Sequence, residues 1–462
     1  MSFGYRSKAL LRQGFFLYAA HMNLHPQAAD TVIEARWVLP VEPARSVLPD
    51  HAVVISGGRI VAVLPASEAR VNYLPDRHVV LGEHALMPGL INLHTHAAMT
   101  LLRGLADDLA LMDWLNGHMW PAEMRHVSEE FVHDGARLAC AEMLRGGVTC
   151  FNDMYFFPQA TARAARAARM RAALGMIVFE FPSPYAADAQ DYLNKGLALR
   201  DELKSEPLLS YCFAPHAPYT VSDKTLRQVA TYAGELDLPV HMHIHETRRE
   251  IEQSLEQHHL RPLARLAEFG LVGPALIAAH AVHLERGEIE MLAQHGCHVA
   301  HCPSSNLKLA SGFAPVGALL AAGVNVGLGS DGAASNNRLD IFAEMRLAAL
   351  LAKGVSDDAT ALPAWQALEL ATIRSARALG LDQSIGTLQP GKCADITAVR
   401  LAGPELAPCY DPQSHLVYAA GREHVSHVWV NGELVVDNGN LTTIDTNEVL
   451  AKAAFWHDRI RS

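Results

Sequence analysis

The chain has 462 residues, 50% of them hydrophobic and 19% charged, a balance that buries a large core and excludes an intrinsically disordered protein. Lysine plus arginine number 38 against 49 aspartates and glutamates, for a net charge of −11. With no long basic run, nothing in this charge attracts nucleic acid or an anionic membrane, and neither is expected as a partner.

The N-terminus carries Arg6, Lys8 and Arg12 ahead of the apolar run Phe15 to Ala20. That run is short for a signal peptide and follows Gln13-Gly14, so residues 1–28 are expected to form an extension. No stretch is long and apolar enough to span a membrane. From about residue 30 the chain reads as short strands and turns, with Thr31–Ala35 and Ala52–Ile55 followed by Gly57-Gly58 and Arg59–Val63. The far end has the same pattern. Ala394–Val399 reads as a strand, and His427–Val430 meets Leu434–Val436 across Asn431-Gly432, a strong hairpin signal. One small β-sandwich domain built from both termini is expected, from residues 29–87 and 385–445, with a C-terminal helix over 446–462.

Between these parts, short apolar runs alternate with helix-like stretches. Leu174–Phe179 follows the Ala/Arg-rich stretch Ala160–Ala173, and Leu238–His243, Ala275–His280, Val299–Cys302 and Val324–Gly329 continue the series. Such alternation predicts an α/β fold, a (β/α)₈ TIM-type barrel over residues 88–384, with its chemistry at the C-terminal strand ends. Several of these runs end in His or lead into Glu or Asp.

His94 and His96 would share one face of a strand and could chelate one metal, although H-x-H alone is equally a polar strand end. In His241-Met242-His243-Ile244-His245-Glu246, all three histidines share a face if the strand is regular, so spacing does not choose the ligand, and at least one reads as a hydrogen-bonded core residue. His280 ends another apolar run. Asp331 lies in Gly329-Ser330-Asp331-Gly332, where an aspartate is often only a turn former. The joint occurrence, in this order on successive strands, is much harder to dismiss than any member alone. Seven scattered cysteines without a C-x-x-C pair argue against a disulfide framework and for a cytoplasmic protein.

Pro88 to His96, the step from His243 to Glu246, His280 and Ser330-Asp331-Gly332 together resemble the amidohydrolase superfamily. Met99 to Gly104, Ala214 to Tyr219, Ser304 to Leu309 and Asp331 to Asn337 are similar to its deaminases acting on methylthioadenosine and S-adenosylhomocysteine. The resemblance covers nearly the whole chain. It implies one Zn²⁺ per subunit, or another divalent transition metal, held by His94, His96, His243 and Asp331, with an open position for water. It also implies that Asp331 takes the water's proton, His280 hydrogen-bonds the water, and Glu246 carries a proton to the purine ring before ammonia leaves. Glu123 would contact the ribose and His216 the substrate; equally, Glu123 reads as a carboxylate favoured by a helix N-terminus and His216 as a loop-packing residue. Ser305 and Asn306 are expected to shape a loop, and Glu142, Asp153 and His283 to be structural. A homo-oligomer is expected.

Two absences narrow the class. No lysine stands at a strand end between His96 and His243 to bridge two metals, and the H-x-E with P-C-x-x-C deaminase design is missing. Met176 to Pro182 also lacks the arginines that clamp the amino-acid carboxylate of S-adenosylhomocysteine in some relatives. The resemblance, through the His243-to-Glu246 step and Glu123, implies an adenosine-type nucleoside as substrate (methylthioadenosine, S-adenosylhomocysteine or adenosine), and the missing arginines point to methylthioadenosine or adenosine among them. The alternatives are a guanine, oxidised-purine, pyrimidine or triazine amidohydrolase on the same scaffold, or a non-catalytic scaffold protein, which retention of every site residue disfavours.

Overall fold

A computed structural model describes residues 26–462; the apolar run Phe15 to Ala20 and most of the expected extension lie outside them. Four strands come first: β1 (Gln27–Val38), β2 (Leu48–Ser56), β3 (Arg59–Pro65) and β4 (Tyr73–Pro88). Eight more follow: β5 (Leu90–Thr95), β6 (Val148–Asp153), β7 (Arg171–Val178), β8 (Leu209–Pro215), β9 (Val240–Ile244), β10 (Leu276–His280), β11 (His298–His301) and β12 (Asn325–Leu328). The last four are β13 (Ile396–Arg400), β14 (Val425–Val430), β15 (Glu433–Asp437) and β16 (Asn440–Leu441).

Strands β5 to β12 pair in sequence order as one eight-stranded parallel sheet, with helices between the strands. Its ends meet where the Asp331 N–H donates to the His94 carbonyl (2.9 Å) and the Ser330 N–H to Asn92 Oδ1 (2.9 Å). This is the expected (β/α)₈ barrel. Its interior is filled by small and branched side chains, among them Ile91, Leu93, Ala173, Ile277, Ala279 and Ala300, all buried. Gly329 makes the closure possible: a Cβ there would lie 2.7 Å from the His94 Cβ and 2.9 Å from its backbone nitrogen.

The Ala/Arg-rich stretch behaves differently from its composition. Its helix spans Pro158–Ala167 and stops, Arg169 takes φ +56°, and Arg171 already lies in β7. The Arg171 guanidinium, buried in the barrel wall, donates to both Asp395 oxygens at 3.0 and 3.1 Å, which ties the barrel to the terminal sheet and overrides the local alanine preference for helix.

The remaining strands form the second sheet, in the order β16-β15-β14-β13-β4-β1-β2-β3. Ile33, Val53 and Ile60 from its N-terminal strands share a buried cluster with Ile396 and Trp429 from its C-terminal strands. Both expected hairpin tips are present, with positive φ at Gly57-Gly58 and at Asn431-Gly432, as two-residue type I′ turns require. The tips also touch each other: a Cβ on Gly58 would stand 2.6 Å from the Asn431 carbonyl oxygen. The C-terminal helix Thr446–Arg461 docks through buried Trp456, whose Nε1–H donates to Asp134 (2.9 Å). Among the described residues no helix is long and apolar enough to cross a membrane.

Candidate metal centre and active site

At the C-terminal strand ends, ligating atoms of His94, His96, His243 and Asp331 all lie within 4.8 Å of one another, the single such cluster among the described residues. Asp331 Oδ1 stands 3.2 Å from Nε2 of both His94 and His96. Its other oxygen accepts hydrogen bonds from the Ser305 and Ser335 hydroxyls, each 2.6 Å away, so Oδ1 alone faces the imidazoles.

The far side of each imidazole is also engaged. His96 Nδ1–H donates to the Met154 carbonyl (2.6 Å) and His243 Nδ1–H to the His216 carbonyl (2.7 Å). A carbonyl can only accept, so these bonds place the hydrogen on Nδ1 and leave Nε2 for a ligand. His94 Nδ1 pairs with His241 Nε2 (2.8 Å), while His94 Nε2 is buried without a hydrogen-bond partner. Burial lowers both imidazoles that face Asp331. Its carboxylate outweighs burial at His96, pushed up to about 9, but not at His94, lowered to about 4. The donor set, three imidazoles and one carboxylate around a shared space, fits a zinc-type cation better than a single proton could.

The structure also separates the three histidines that spacing alone left equivalent. His243 joins the cluster, and His241 lies behind it against His94. His245 leaves the face altogether: its φ is +56° and its Nε2 accepts from the Leu263 N–H (3.2 Å). Positive φ recurs at His280 (+69°) and Asp331 (+62°). Non-glycine residues adopt this region at a cost of about 1–3 kcal/mol, and such strain clusters at functional sites.

Around the cluster opens a cavity of about 680 Å³, lined by Glu123, His216, Glu246, His280 and Asp331 together with aromatic and aliphatic side chains. His280 Nδ1 pairs with Asn306 Oδ1 (2.9 Å), and its Nε2 lies 4.0 Å from Glu246 Oε2. Burial raises the Glu246 carboxyl above the usual carboxylate range. Glu123, on the helix Trp120–His126, accepts from the Tyr155 hydroxyl (2.7 Å), and burial pushes its carboxyl up to about 7. The His216 ring stacks on Phe179 with centroids 4.6 Å apart, and burial lowers its imidazole to about 3. Every residue expected at the site from sequence therefore borders the cavity or the metal cluster.

Several neighbours were not foreseen as site residues. Ser305, Asn306, Ser335, His241 and Tyr155 each bond directly to one of the groups above, and Trp114, Trp120, Phe156, Phe179 and Tyr219 line the cavity. Asp153 stays structural, accepting from the Ala97 N–H (2.7 Å) and Thr161 (3.1 Å). Glu142 does likewise, bound to Arg103 and Arg422, and so does His283, bonded to the Ser311 carbonyl (2.7 Å).

A parallel barrel with this donor set at its C-terminal mouth defines a metal-dependent hydrolase, and residues 85–435 match the Amidohydrolase family, to which the chain belongs. It is 48% identical over 431 residues to a 5-methylthioadenosine/S-adenosylhomocysteine deaminase of Teredinibacter turnerae, covering 93% of this chain and 98% of that one. A corresponding deaminase of Saccharophagus degradans is 46% identical over 434 residues, covering 94% and 97%. Among solved structures, an adenosine deaminase from Xanthomonas campestris with bound zinc superposes with a TM-score of 0.94 at 49% identity, covering 95% of this chain and 100% of that one. The atrazine chlorohydrolase TrzN of Arthrobacter aurescens, complexed with zinc, gives 0.86 at 25% identity, covering 92% and 100%.

Proposed function

We propose that this chain is a zinc-dependent aminohydrolase that converts the 6-amino group of an adenosine-type nucleoside to a 6-oxo group with release of ammonia. The observation that carries this is the convergence of His94, His96, His243 and Asp331 beside Glu246 and His280 in one largely apolar cavity. The similarity to deaminases of methylthioadenosine and adenosine supports it. When bound, zinc acidifies water and so supplies a nucleophile near neutral pH.

The chain's own groups then handle protons. Asp331, held by Ser305 and Ser335, accepts the proton that the attacking water gives up. His280 hydrogen-bonds that water through Nε2, its other nitrogen being fixed on Asn306. Glu246, raised by burial, carries a proton at its carboxyl and delivers it to the ring nitrogen beside C6, which makes that carbon electrophilic. Water adds at C6, the C–N bond breaks, and ammonia departs with the second proton. Glu123 receives the ribose hydroxyls, and His216 with Phe179 offers a flat wall to the purine. A bare base would leave the buried Glu123 carboxyl without that partner, which favours a nucleoside over guanine, cytosine or a triazine. The free state of all seven cysteines fits a cytoplasmic site of action.

Among the described residues the cavity lining contains no lysine or arginine. A 5′ substituent bearing an amino-acid carboxylate would find no cation among these described lining residues, which favours methylthioadenosine and adenosine as substrates. Ammonia release should be measured over methylthioadenosine, S-adenosylhomocysteine, adenosine, guanine and cytosine, with metal analysis of the same sample. The expected result is kcat/KM for methylthioadenosine at least about tenfold above that for S-adenosylhomocysteine. Preference for S-adenosylhomocysteine would overturn the substrate ranking, and turnover of bases alone would overturn the nucleoside assignment.

A further inference from the structure

Strand geometry alone would put Glu246 on the wrong side. Side chains alternate along a strand, and in β9 His241 and His243 face inward, so an unbroken strand would point His245 inward and Glu246 away from the cavity. The observed arrangement is the reverse: Glu246 lines the cavity, and His245 sits under the helix Pro262–Glu268. The change of parity occurs at His245, the residue at φ +56°.

That conformation is unfavourable for histidine and persists only if the surroundings enforce it. Its carbonyl accepts from the Val282 and His283 N–H groups (3.1 and 3.0 Å). Its own N–H and that of Glu246 point together at one carboxylate: Glu250 Oε1 accepts from His245 N–H and Oε2 from Glu246 N–H, each at 2.9 Å. Consecutive N–H groups converging around a left-handed residue form an anion-binding nest. Glu250 fills this nest from the first turn of the helix Arg248–His258, where the helix dipole also favours its charge. Thr247 caps that helix by accepting from the Glu250 N–H (3.3 Å), which fixes the start of the carboxylate's own side chain. Glu250 is buried, 4% exposed, and its carboxylate oxygens are engaged by the two backbone N–H groups.

We infer that Glu250 is a positioning residue for the deamination, clamping the turn at His245 so that the Glu246 carboxyl faces the substrate ring. The inference rests on the reading of Glu246 as the proton carrier. Glu250→Gln keeps the shape but offers one acceptor oxygen where two N–H groups need one each. The amide is close to the carboxylate in size and adds no buried charge, so the variant tests the lost acceptor rather than the packing.

Zinc content, kcat and KM for adenosine should be compared in the unaltered enzyme, Glu250→Gln, Glu246→Gln and the double variant. A displacement of about 1 Å at a reacting group costs on the order of a hundredfold in rate. Glu250→Gln is therefore expected to lower kcat by about 10- to 100-fold, with KM and zinc content nearly unchanged. In the Glu246→Gln background the same change is expected to cost less than about twofold, because the group it positions is already disabled. Equal losses in both backgrounds would overturn the inference while leaving the proposed reaction intact. A full rate in Glu246→Gln would overturn the proposed role of Glu246 itself. A readout without any variant is hydrogen–deuterium exchange on peptides spanning residues 243–250 of the unaltered enzyme. The His245 and Glu246 amides should exchange as slowly as those of β9, and rapid exchange at both would equally overturn the clamp.

Discussion

Two regions of this molecule bury histidines against one another, and only one of them is built to hold a metal. At the barrel mouth, His94, His96 and His243 bring one ligating nitrogen each within 4.8 Å of an Asp331 oxygen, with a hydrogen bond behind each ring. In the terminal sheet, His84 on β4 and His427 on β14 meet edge to face with centroids 6.2 Å apart. There the nitrogens diverge: His427 Nδ1 pairs with Ser426 (2.8 Å), its Nε2 faces Asp437 (3.3 Å), and His84 Nδ1 is buried without a partner. Histidine density is thus no guide to function. Ring orientation, enforced from behind by fixed acceptors and shared by a single carboxylate oxygen, is what separates a ligand set from core packing.

The contrast can be broken most severely at Asp331. Asp331→Asn removes the one carboxylate of the cluster, and activity is expected to fall by about a thousandfold or more with loss of bound zinc; full zinc occupancy by elemental analysis would remove Asp331 from the ligand set. A gentler cut lies behind the ligands. His241→Ala takes away the group that orients His94 while leaving every ligand in place, and zinc affinity is expected to drop about 10- to 100-fold, measured by competition with a chelator. The smallest effect belongs to the other cluster. Burial lowers the His84 imidazole from its usual 6.5 to about 4, so the unfolded chain takes up a proton there that the folded chain refuses. The stabilisation is intact above pH 6.5, is lost as pH falls toward about 4, and declines no further below that. His84→Asn should flatten the decline of Tm between pH 7 and 4 by an amount worth up to about 3 kcal/mol, without changing zinc content; an unchanged slope would show that His84 is not the group responsible.

The same contrast explains what could be read from the chain. Strands β5, β9, β10 and β12 announce themselves because buried parallel strands are apolar runs, and His94 and His96 declare a common face because the strand period is two. The hairpin at Asn431-Gly432 was legible because its turn demands particular residues. Ser305, Ser335 and Asn306 were not, since their roles arise from contact across the barrel mouth and leave no periodic trace. The Ala/Arg-rich stretch misled by composition, as the Arg171–Asp395 pair across 224 positions draws its end into β7. At the end of β9, the rule of alternation itself failed: it could not show that the chain reverses parity at His245, because the cause is a glutamate five residues further on.

The terminal sheet has a consequence for how the protein is made. Strand β4 pairs with β13, Pro88 opposite Ile396, so about 300 residues must be synthesised before that edge finds its neighbour. At ribosomal speeds of about 5–20 residues per second, β4 waits for tens of seconds with a row of open backbone groups. Throughout that interval the nascent chain carries an unprotected edge able to recruit another polypeptide, and the barrel must close while its foundation is still half built. Less chaperone dependence during expression is expected when the last strands are supplied early by circular permutation.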